Sequence, residues 1–371
     1  MENLQIERRN VKDTDVFIGE NIIKEMLPRV RTVFEEGALF VVYEKEQESV
    51  ATALMQEMKR GGYRVFASEI RGENYGGEGV QSADIPEYVR FVFAVGEELA
   101  SREAKRICED KNIEWALIMC TPSCDEIMKG KSPKQVFIDT EVIDKSAKER
   151  VAAGYGHLLS LQFSAFECAF SSKVLGVCKS TFAADCKGIS NGELAFLLLK
   201  LSSEKTWEDS ADKMAKLLVA KALSEGKKPR LLGEYKFLCA CLITSFYSAF
   251  LGAPSIDAMP PACRDDALDE IVSLPIDLSN EGKCVDFFDI NSYFRINYIM
   301  SEYRMDLLEK LAGIDLHGMQ RFWRRLYPDA GYWLKSEISA KEMLHFLCLA
   351  GAKSDNLLGY AYASGMLKKI G

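Results

Sequence analysis

The chain has 371 residues, of which 48% are hydrophobic and 27% charged, which is enough for two domains with ordinary packed cores. Its 47 basic and 55 acidic residues give a net charge of −8, which disfavours nucleic acid and anionic membranes as partners. Eleven cysteines without a CxxC pair predict reduced thiols in a cytoplasmic protein.

Short apolar runs alternate with helical patterns over the first 146 residues. The runs predict six buried strands, at Asp15–Gly19, Ala38–Tyr43, Arg64–Phe66, Phe91–Val95, Trp115–Met119 and Gln135–Asp139. Helices are predicted at Glu20–Val33, at Ser49–Arg60 and directly after Gly96, and the glycine-rich residues 71–86 predict a loop. This alternation is typical of βαβ units, so we expect a Rossmann-like α/β domain with a parallel sheet over residues 1–146.

No strand pattern follows Ser146, and an apolar period near 3.6 predicts helices only. These helices are expected at Ala147–Phe170, Asn191–Leu201, Ser210–Ser224, Gly233–Leu251, Ala267–Leu274, Cys284–Leu311 and Ala340–Leu349. The longest apolar run, Phe237–Ala253, is shorter than the ~20 residues of a membrane span and contains Thr244, Ser245 and Ser248, so it predicts a buried helix. We therefore expect residues 147–371 to form an all-α domain. The functional site is expected in the cleft between the two domains.

The stretch Phe91–Lys105, FVFAVGEELASREAK, has the pattern of a buried strand, a glycine and a helix. In α/β proteins this turn holds a phosphate at the helix N-terminus. Glu97 and Glu98 follow Gly96, however, and each carboxylate placed ~5 Å from a phosphate costs about 3 kcal/mol at an effective dielectric of 20. A structural alternative is that both glutamates simply favour the first turn of a helix through its dipole.

The order and spacing of several motifs resemble the iron-containing or polyol dehydrogenase superfamily. This superfamily includes glycerol dehydrogenase, sn-glycerol-1-phosphate dehydrogenase and, more remotely, dehydroquinate synthase. The motifs are FVFAVGEELASREAK, MCTPSCDEI (Met119–Ile127), PKQVFIDTEVI (Pro133–Ile143), ERVAAGYGHLLS (Glu149–Ser160) and EGKCVDF (Glu281–Phe287). The resemblance implies a dehydroquinate synthase-like fold, in which an N-terminal domain binds NAD or NADP and a helical domain holds a divalent metal.

The resemblance also implies roles for residues of the first domain. Gly96 and Lys105 match the cofactor loop and its helix, although the family's further glycines are replaced here. Thr121 and Ser123 correspond to cofactor contacts, and Asp125 corresponds to a carboxylate that orients the hydroxyl groups of a polyol. The same TPSCD segment is also an ordinary N-cap and turn sequence, which is the structural alternative.

Three positions correspond to the family's metal ligands, with their residue types exchanged. AGYGH places His157 where the family has Asp, the RDDALD stretch places Asp266 (or Asp265) near the first histidine position, and Glu281 replaces the histidine of a His-Gly pair. One imidazole and two carboxylates suit Mn²⁺ or Fe²⁺, and Zn²⁺ is the remaining family metal. The alternative is neutral change in a protein that has lost its metal.

Two functions follow from these expectations. The first is a divergent NAD(P)-linked dehydrogenase of a small polyol or polyol phosphate such as glycerol or glycerol 1-phosphate. The second is a non-catalytic descendant, a pseudoenzyme that binds a metabolite or a protein partner. With either function the protein is expected in the cytoplasm. Both a monomer and a homo-oligomer are compatible with the sequence.

Overall fold

The computed structural model describes residues 6–70, 85–122, 127–176, 188–204, 207–253, 287, 289–328 and 338–367. The chain divides into two compact units. The first comprises Met1–Gly154 with Cys186–Glu204, and the second comprises Tyr155–Asp185 with Lys205–Gly371. The division predicted at residue 146 differs from these units mainly at Cys186–Glu204, whose helix packs on the strands of the first unit.

The described part of the first unit contains one seven-stranded sheet. Its strands are β1 (Glu7–Val11), β2 (Thr14–Gly19), β3 (Ala38–Glu44), β4 (Arg64–Ile70), β5 (Val89–Gly96), β6 (Glu114–Met119) and β7 (Gln135–Asp139). They lie in the order β1-β2-β7-β6-β5-β3-β4, and only the pair β1 and β2 is antiparallel. The predicted parallel sheet is confirmed, and β1 is an additional edge strand.

The sheet is covered by apolar side chains on both faces, as a parallel sheet requires. Along the central strand β5, Phe91, Phe93 and Val95 belong to one cluster of buried residues. Val92 and Ala94, which alternate with them, belong to the other cluster. The continuous apolar run that predicts this strand is therefore the result of burial on both sides.

The helices of the first unit are α1 (Leu27–Val30), α2 (Glu48–Arg60), α3 (Glu98–Lys111), α4 (Thr140–Asp144), the beginning of α5 (Lys148–Phe170) and α6 (Asn191–Glu204). The continuous helix predicted at Glu20–Val33 is wrong. In its place lie a 3-10 turn at Ile22–Glu25 and the short α1. Pro28 explains the break, because proline has no backbone N–H for a continuous helix and is tolerated only in a first turn.

The described residues of the second unit form helices and no strand, as the sequence predicts. After the end of α5 come α7 (Ser210–Ser224), α8 (Leu232–Gly252), α9 (Ile290–Ala312), α10 (Leu316–Leu326), α11 (Ala340–Ala352) and α12 (Leu357–Ala363). The helix predicted at Ala267–Leu274 lies outside the described residues. By length and composition alone α8 could cross a membrane, but 67% of its most apolar window is buried inside the protein, as in a core helix.

Six cysteines lie in the described parts of the chain, and all six are free thiols. Cys108, Cys120, Cys239 and Cys241 are buried. Burial raises the pKa of Cys108 to about 12 and that of Cys241 to about 11. Thiols with such pKa values remain protonated at neutral pH, so these residues pack as small apolar side chains.

Candidate functional site

The turn between β5 and α3 is the predicted phosphate site, and its N-terminal cap comes from another strand. Gly96 has a φ of +139°, and Glu97, the N-cap residue of α3, makes no capping bond with its own side chain. Instead the side chain of Glu44, the last residue of β3, reaches the helix. Its Oε1 accepts hydrogen bonds from the backbone N–H groups of Glu97 at 2.8 Å and of Ala100 at 3.1 Å.

The Glu44 carboxylate occupies the position where this turn would bind an external anion. A helix N-terminus stabilises negative charge through free N–H groups and the positive end of the helix dipole. Glu44 is only 5% exposed, and burial raises its pKa, against the opposing effects of the Ala100 N–H group and of Arg150. The chain thus supplies its own anion to the turn.

A second carboxylate at the turn is neutralised by a nearby cation. Glu97 is buried and forms an ion pair with Arg150, which lies in the first turn of α5. Arg150 therefore offsets the charge that the sequence places directly after Gly96. Glu98 is partly exposed in the first turn of α3, a position that the helix dipole favours.

These residues do not fit a dinucleotide diphosphate in the way that the resemblance implies. The space left by the missing side chain of Gly96 is filled by Glu44, because a Cβ at residue 96 would lie 2.9 Å from the Glu44 Cδ. Lys105, the expected cofactor lysine, donates a hydrogen bond to the backbone carbonyl of Lys129 at 2.5 Å. Thr121 is buried just after β6. Ser123 and Asp125 lie outside the described residues.

Replacing Gly96 by alanine tests how tightly Glu44 fills this turn. We expect Gly96→Ala to lower the free energy of unfolding by about 2–3 kcal/mol, because a positive φ strains alanine and the new methyl group meets the Glu44 carboxyl group. Urea denaturation measures the loss. Gly62→Ala is the matched control, since Gly62 has a φ of +91° but no atom within 4 Å of the added Cβ. Equal losses in the two variants would mean that Glu44 leaves room at residue 96.

His157, the one predicted metal ligand that the structure describes, is buried in α5 within the second unit. The preceding Gly156 packs against α8, where an added Cβ would lie 2.3 Å from the carbonyl oxygen of Gly233. Gly156 therefore lets this part of α5 lie in close contact with the N-terminal end of α8.

The predicted metal set cannot be assembled from the described residues. Asp266 and Glu281 lie outside them, as does the alternative Asp265. Among the residues that are described, no group of three or more histidine, cysteine, aspartate and glutamate side chains could hold a metal ion. The ligand set His157, Asp266 and Glu281 stays a prediction.

The second unit contains a buried polar network that the sequence did not indicate. Oε2 of Glu167 accepts hydrogen bonds from the Ser210 backbone N–H at 2.9 Å and from the Asn356 side-chain amide at 2.8 Å. Its Oε1 accepts the Tyr247 hydroxyl at 2.6 Å. Burial and then the carboxylate of Asp209 raise the pKa of Glu167 to about 7. This carboxyl group joins α5, α7, α8 and the N-terminus of α12.

Glu44 and Arg150 are the residues of the turn that sequence reasoning missed. The contact between Glu44 and the turn can be predicted from the sequence only when the order of the strands is known. In the parallel pair β3 and β5, Tyr43 lies opposite Val95, so Glu44 and Gly96 leave the sheet side by side. The signal for Glu167 is weaker: it is the one acidic residue in the apolar run FSAFECAF at the end of α5.

No protein-family model and no curated protein matches the sequence. Solved structures are similar at 11–12% identity. An iron-containing alcohol dehydrogenase from Corynebacterium glutamicum has a TM-score of 0.54 at 12% identity, covering 94% of this chain and 90% of its own. A maleylacetate reductase from Rhizobium sp. has a TM-score of 0.51 at 12% identity, with coverage of 100% and 98%.

An alcohol dehydrogenase from an archaeon of a Red Sea brine pool also has a TM-score of 0.51, at 11% identity, and the coverage is 99% of both chains. At these identities the similarity concerns the fold. It extends over nearly the whole length of each protein, so both the sheet-containing unit and the helical unit are shared. The chain therefore has the two-part, dehydroquinate synthase-like fold of the iron-containing alcohol dehydrogenases.

Proposed function

We propose that this protein is a non-catalytic descendant of the iron-containing alcohol dehydrogenases, which binds a metabolite or a protein partner and does not use NAD(P) as a redox cofactor. The observation that carries this proposal is the position of the Glu44 carboxylate on the N-terminus of α3. A phosphate group arriving at this turn would meet N–H groups that already have an acceptor.

The energetics support the same conclusion. A diphosphate could bind to the N-terminus of α3 only after displacing Glu44. The Glu44 side chain would then have to leave its buried position and break two hydrogen bonds. If Glu44 stayed within ~5 Å, the repulsion would cost about 3 kcal/mol for each charge pair. Arg150 offsets Glu97 but its charge is already engaged by that ion pair. The turn is therefore more compatible with an empty cofactor site than with a nucleotide.

An active polyol dehydrogenase is the second candidate. It is favoured by the similarity to alcohol dehydrogenases over 94–99% of this chain, which means that neither half of the fold has been lost. In that case Asp125 would orient a small polyol or polyol phosphate, and His157, Asp266 and Glu281 would hold Mn²⁺, Fe²⁺ or Zn²⁺. For both candidates we expect a cytoplasmic location and no nucleic-acid or membrane partner.

Ligand-dependent thermal stability separates the two candidates. We expect no increase in melting temperature with NADH or NADPH, because the phosphate turn is filled by Glu44. A ligand present at 100 times its dissociation constant stabilises a protein by about 2.7 kcal/mol, a shift that differential scanning fluorimetry detects easily. A shift with either nucleotide would overturn the proposal.

The metal is tested in the same assay with Mn²⁺, Fe²⁺ and Zn²⁺. An increase in melting temperature with one of these metals that occurs in the wild type and not in His157→Ala would support the dehydrogenase candidate. His345→Ala, on α11, is the matched control for general binding of metal to imidazole groups. An authentic glycerol dehydrogenase in the same buffers shows that the nucleotides and metals are competent.

A further inference from the structure

The outer face of α9 carries an exposed apolar surface. Five of the seven large hydrophobic side chains that are exposed among the described residues lie on this one helix: Ile290, Phe294, Tyr298, Tyr303 and Met305. Phe294, Tyr298 and Met305 are 48%, 67% and 70% exposed. At 3.6 residues per turn, these three fall within a sector about 40° wide. They form a stripe on the side opposite the buried residues Tyr293, Ile296, Met300, Leu307 and Leu311.

Opposite charges flank this apolar stripe on one side. Arg295 and Glu302 are both exposed and lie two helical turns apart, and they point within about 20° of each other around the helix axis. Glu309, also exposed, lies on the same flank two turns further toward the C-terminus. Tyr298 lies between Arg295 and Glu302 along the helix. The opposite flank carries Ile290 and Ser301 and no charge. The stripe is therefore apolar at its centre and charged along one flank, with the basic residue nearer the N-terminus and the acidic residue nearer the C-terminus.

We propose that α9 pairs with α9 of a second copy of this chain, in antiparallel orientation about a twofold axis near Tyr298. A twofold axis perpendicular to both helices places the same flank of each helix together and reverses the chain direction. Arg295 of one copy then faces Glu302 of the other, and the symmetry repeats this pair. A parallel pair would instead place the charged flank against Ile290 and Ser301, where neither charge meets an opposite charge.

The charge pattern selects a second copy over other occupants. Isologous interfaces must be self-complementary, because the same surface contributes both sides. An apolar stripe flanked by the pair Arg295 and Glu302, whose opposite charges are symmetric about its centre, meets this condition. In this register Glu309 faces no residue of the other copy's α9, because the position opposite it precedes Ile290, the first residue of the helix. Aromatic and methionine side chains at the centre, with charges at the edge, are also the usual composition of an interface.

Sedimentation velocity of the full chain tests this proposal over roughly 1 to 100 μM, the range in which small interfaces dissociate. We expect a monomer–dimer equilibrium in the wild type. Tyr298→Glu should weaken the dimer by roughly 30-fold or more, as for a central aromatic anchor. Tyr88→Glu is the matched control, because Tyr88 is an exposed aromatic residue of the first unit, and it should leave the dissociation constant unchanged.

A charge exchange tests the antiparallel register. Arg295→Glu and Glu302→Arg should each weaken the dimer about tenfold, since each creates two like-charge contacts across the axis. The double variant should restore the wild-type dissociation constant. Circular dichroism shows that each variant is folded. A wild type that stays monomeric throughout this range, as when a segment of the same chain covers α9, would overturn the proposal, and so would a double variant that is not restored.

Discussion

Replacing Glu44 by alanine should convert the turn before α3 into a site for an external anion. The change removes the acceptor of two backbone N–H groups, those of Glu97 and Ala100. Each buried donor that loses its partner costs about 1–3 kcal/mol, so we expect a decrease of about 3 kcal/mol in the free energy of unfolding. Sulfate should recover part of this loss, because an anion at the helix N-terminus restores both hydrogen bonds. Urea denaturation in sulfate and in chloride of equal ionic strength measures both effects.

The control for this variant must account for the general stabilisation that sulfate gives to proteins. Glu46→Ala removes an exposed carboxylate two residues away on the same connection, and it should respond to sulfate as the wild type does. The quantity of interest is the additional stabilisation by sulfate in Glu44→Ala. If that variant is as stable as the wild type, or gains no more from sulfate than Glu46→Ala, Glu44 does not act as the anion of this turn.

The elements whose burial pattern is regular were predictable from the sequence. Gln135–Asp139 and Ser210–Ser224 agree residue for residue with the structure, since an apolar run buried on both sides and an apolar period of 3.6 are strong local signals. Strand β1 was missed because its sequence, ERRNV, is polar and three of its five residues are exposed at the sheet edge. Edge strands pair through their backbone, so their side chains carry little signal.

The candidate site was less predictable, because it depends on contacts between distant parts of the chain. The turn at Gly96 and the two carboxylates after it were visible locally. The cap from Glu44 requires knowing that β3 and β5 are neighbours, and the Glu97–Arg150 ion pair requires knowing where α5 begins relative to α3. Neither relation is encoded in the spacing of residues near the motif.

The buried carboxyl group of Glu167 should make the stability of the second unit depend on pH. Its pKa is raised from 4.5 to about 7 by burial and by Asp209. The folded state therefore binds a proton between these values that the unfolded state has released. The contribution of this group to stability is fully present below pH 4.5 and is lost as pH rises to about 7. By the usual conversion it is of the order of 3 kcal/mol.

Glu167→Gln should remove this dependence without breaking the network. The side-chain oxygen of the glutamine can accept hydrogen bonds from the Ser210 N–H and the Asn356 amide. Its side-chain nitrogen can donate a hydrogen bond to the Tyr247 hydroxyl. That hydroxyl can in turn donate to Ser210 Oγ, which lies 3.3 Å away. We therefore expect the glutamine variant to equal the wild type near pH 4.5 and to exceed it in stability above pH 7. Urea denaturation at a series of pH values measures the difference.

Glu167→Leu separates the loss of charge from the loss of hydrogen bonds. Leucine cannot accept the hydrogen bonds of the Ser210 N–H, the Asn356 amide and the Tyr247 hydroxyl. We therefore expect the free energy of unfolding of Glu167→Leu to be lower than that of Glu167→Gln by about 3–5 kcal/mol at every pH. Glu149→Gln, an exposed carboxylate on the same helix α5, controls for the removal of one negative charge. A glutamine variant that follows the wild-type pH profile would show that Glu167 is ionised in the folded state throughout this range. The proton that is taken up on folding would then belong to another group.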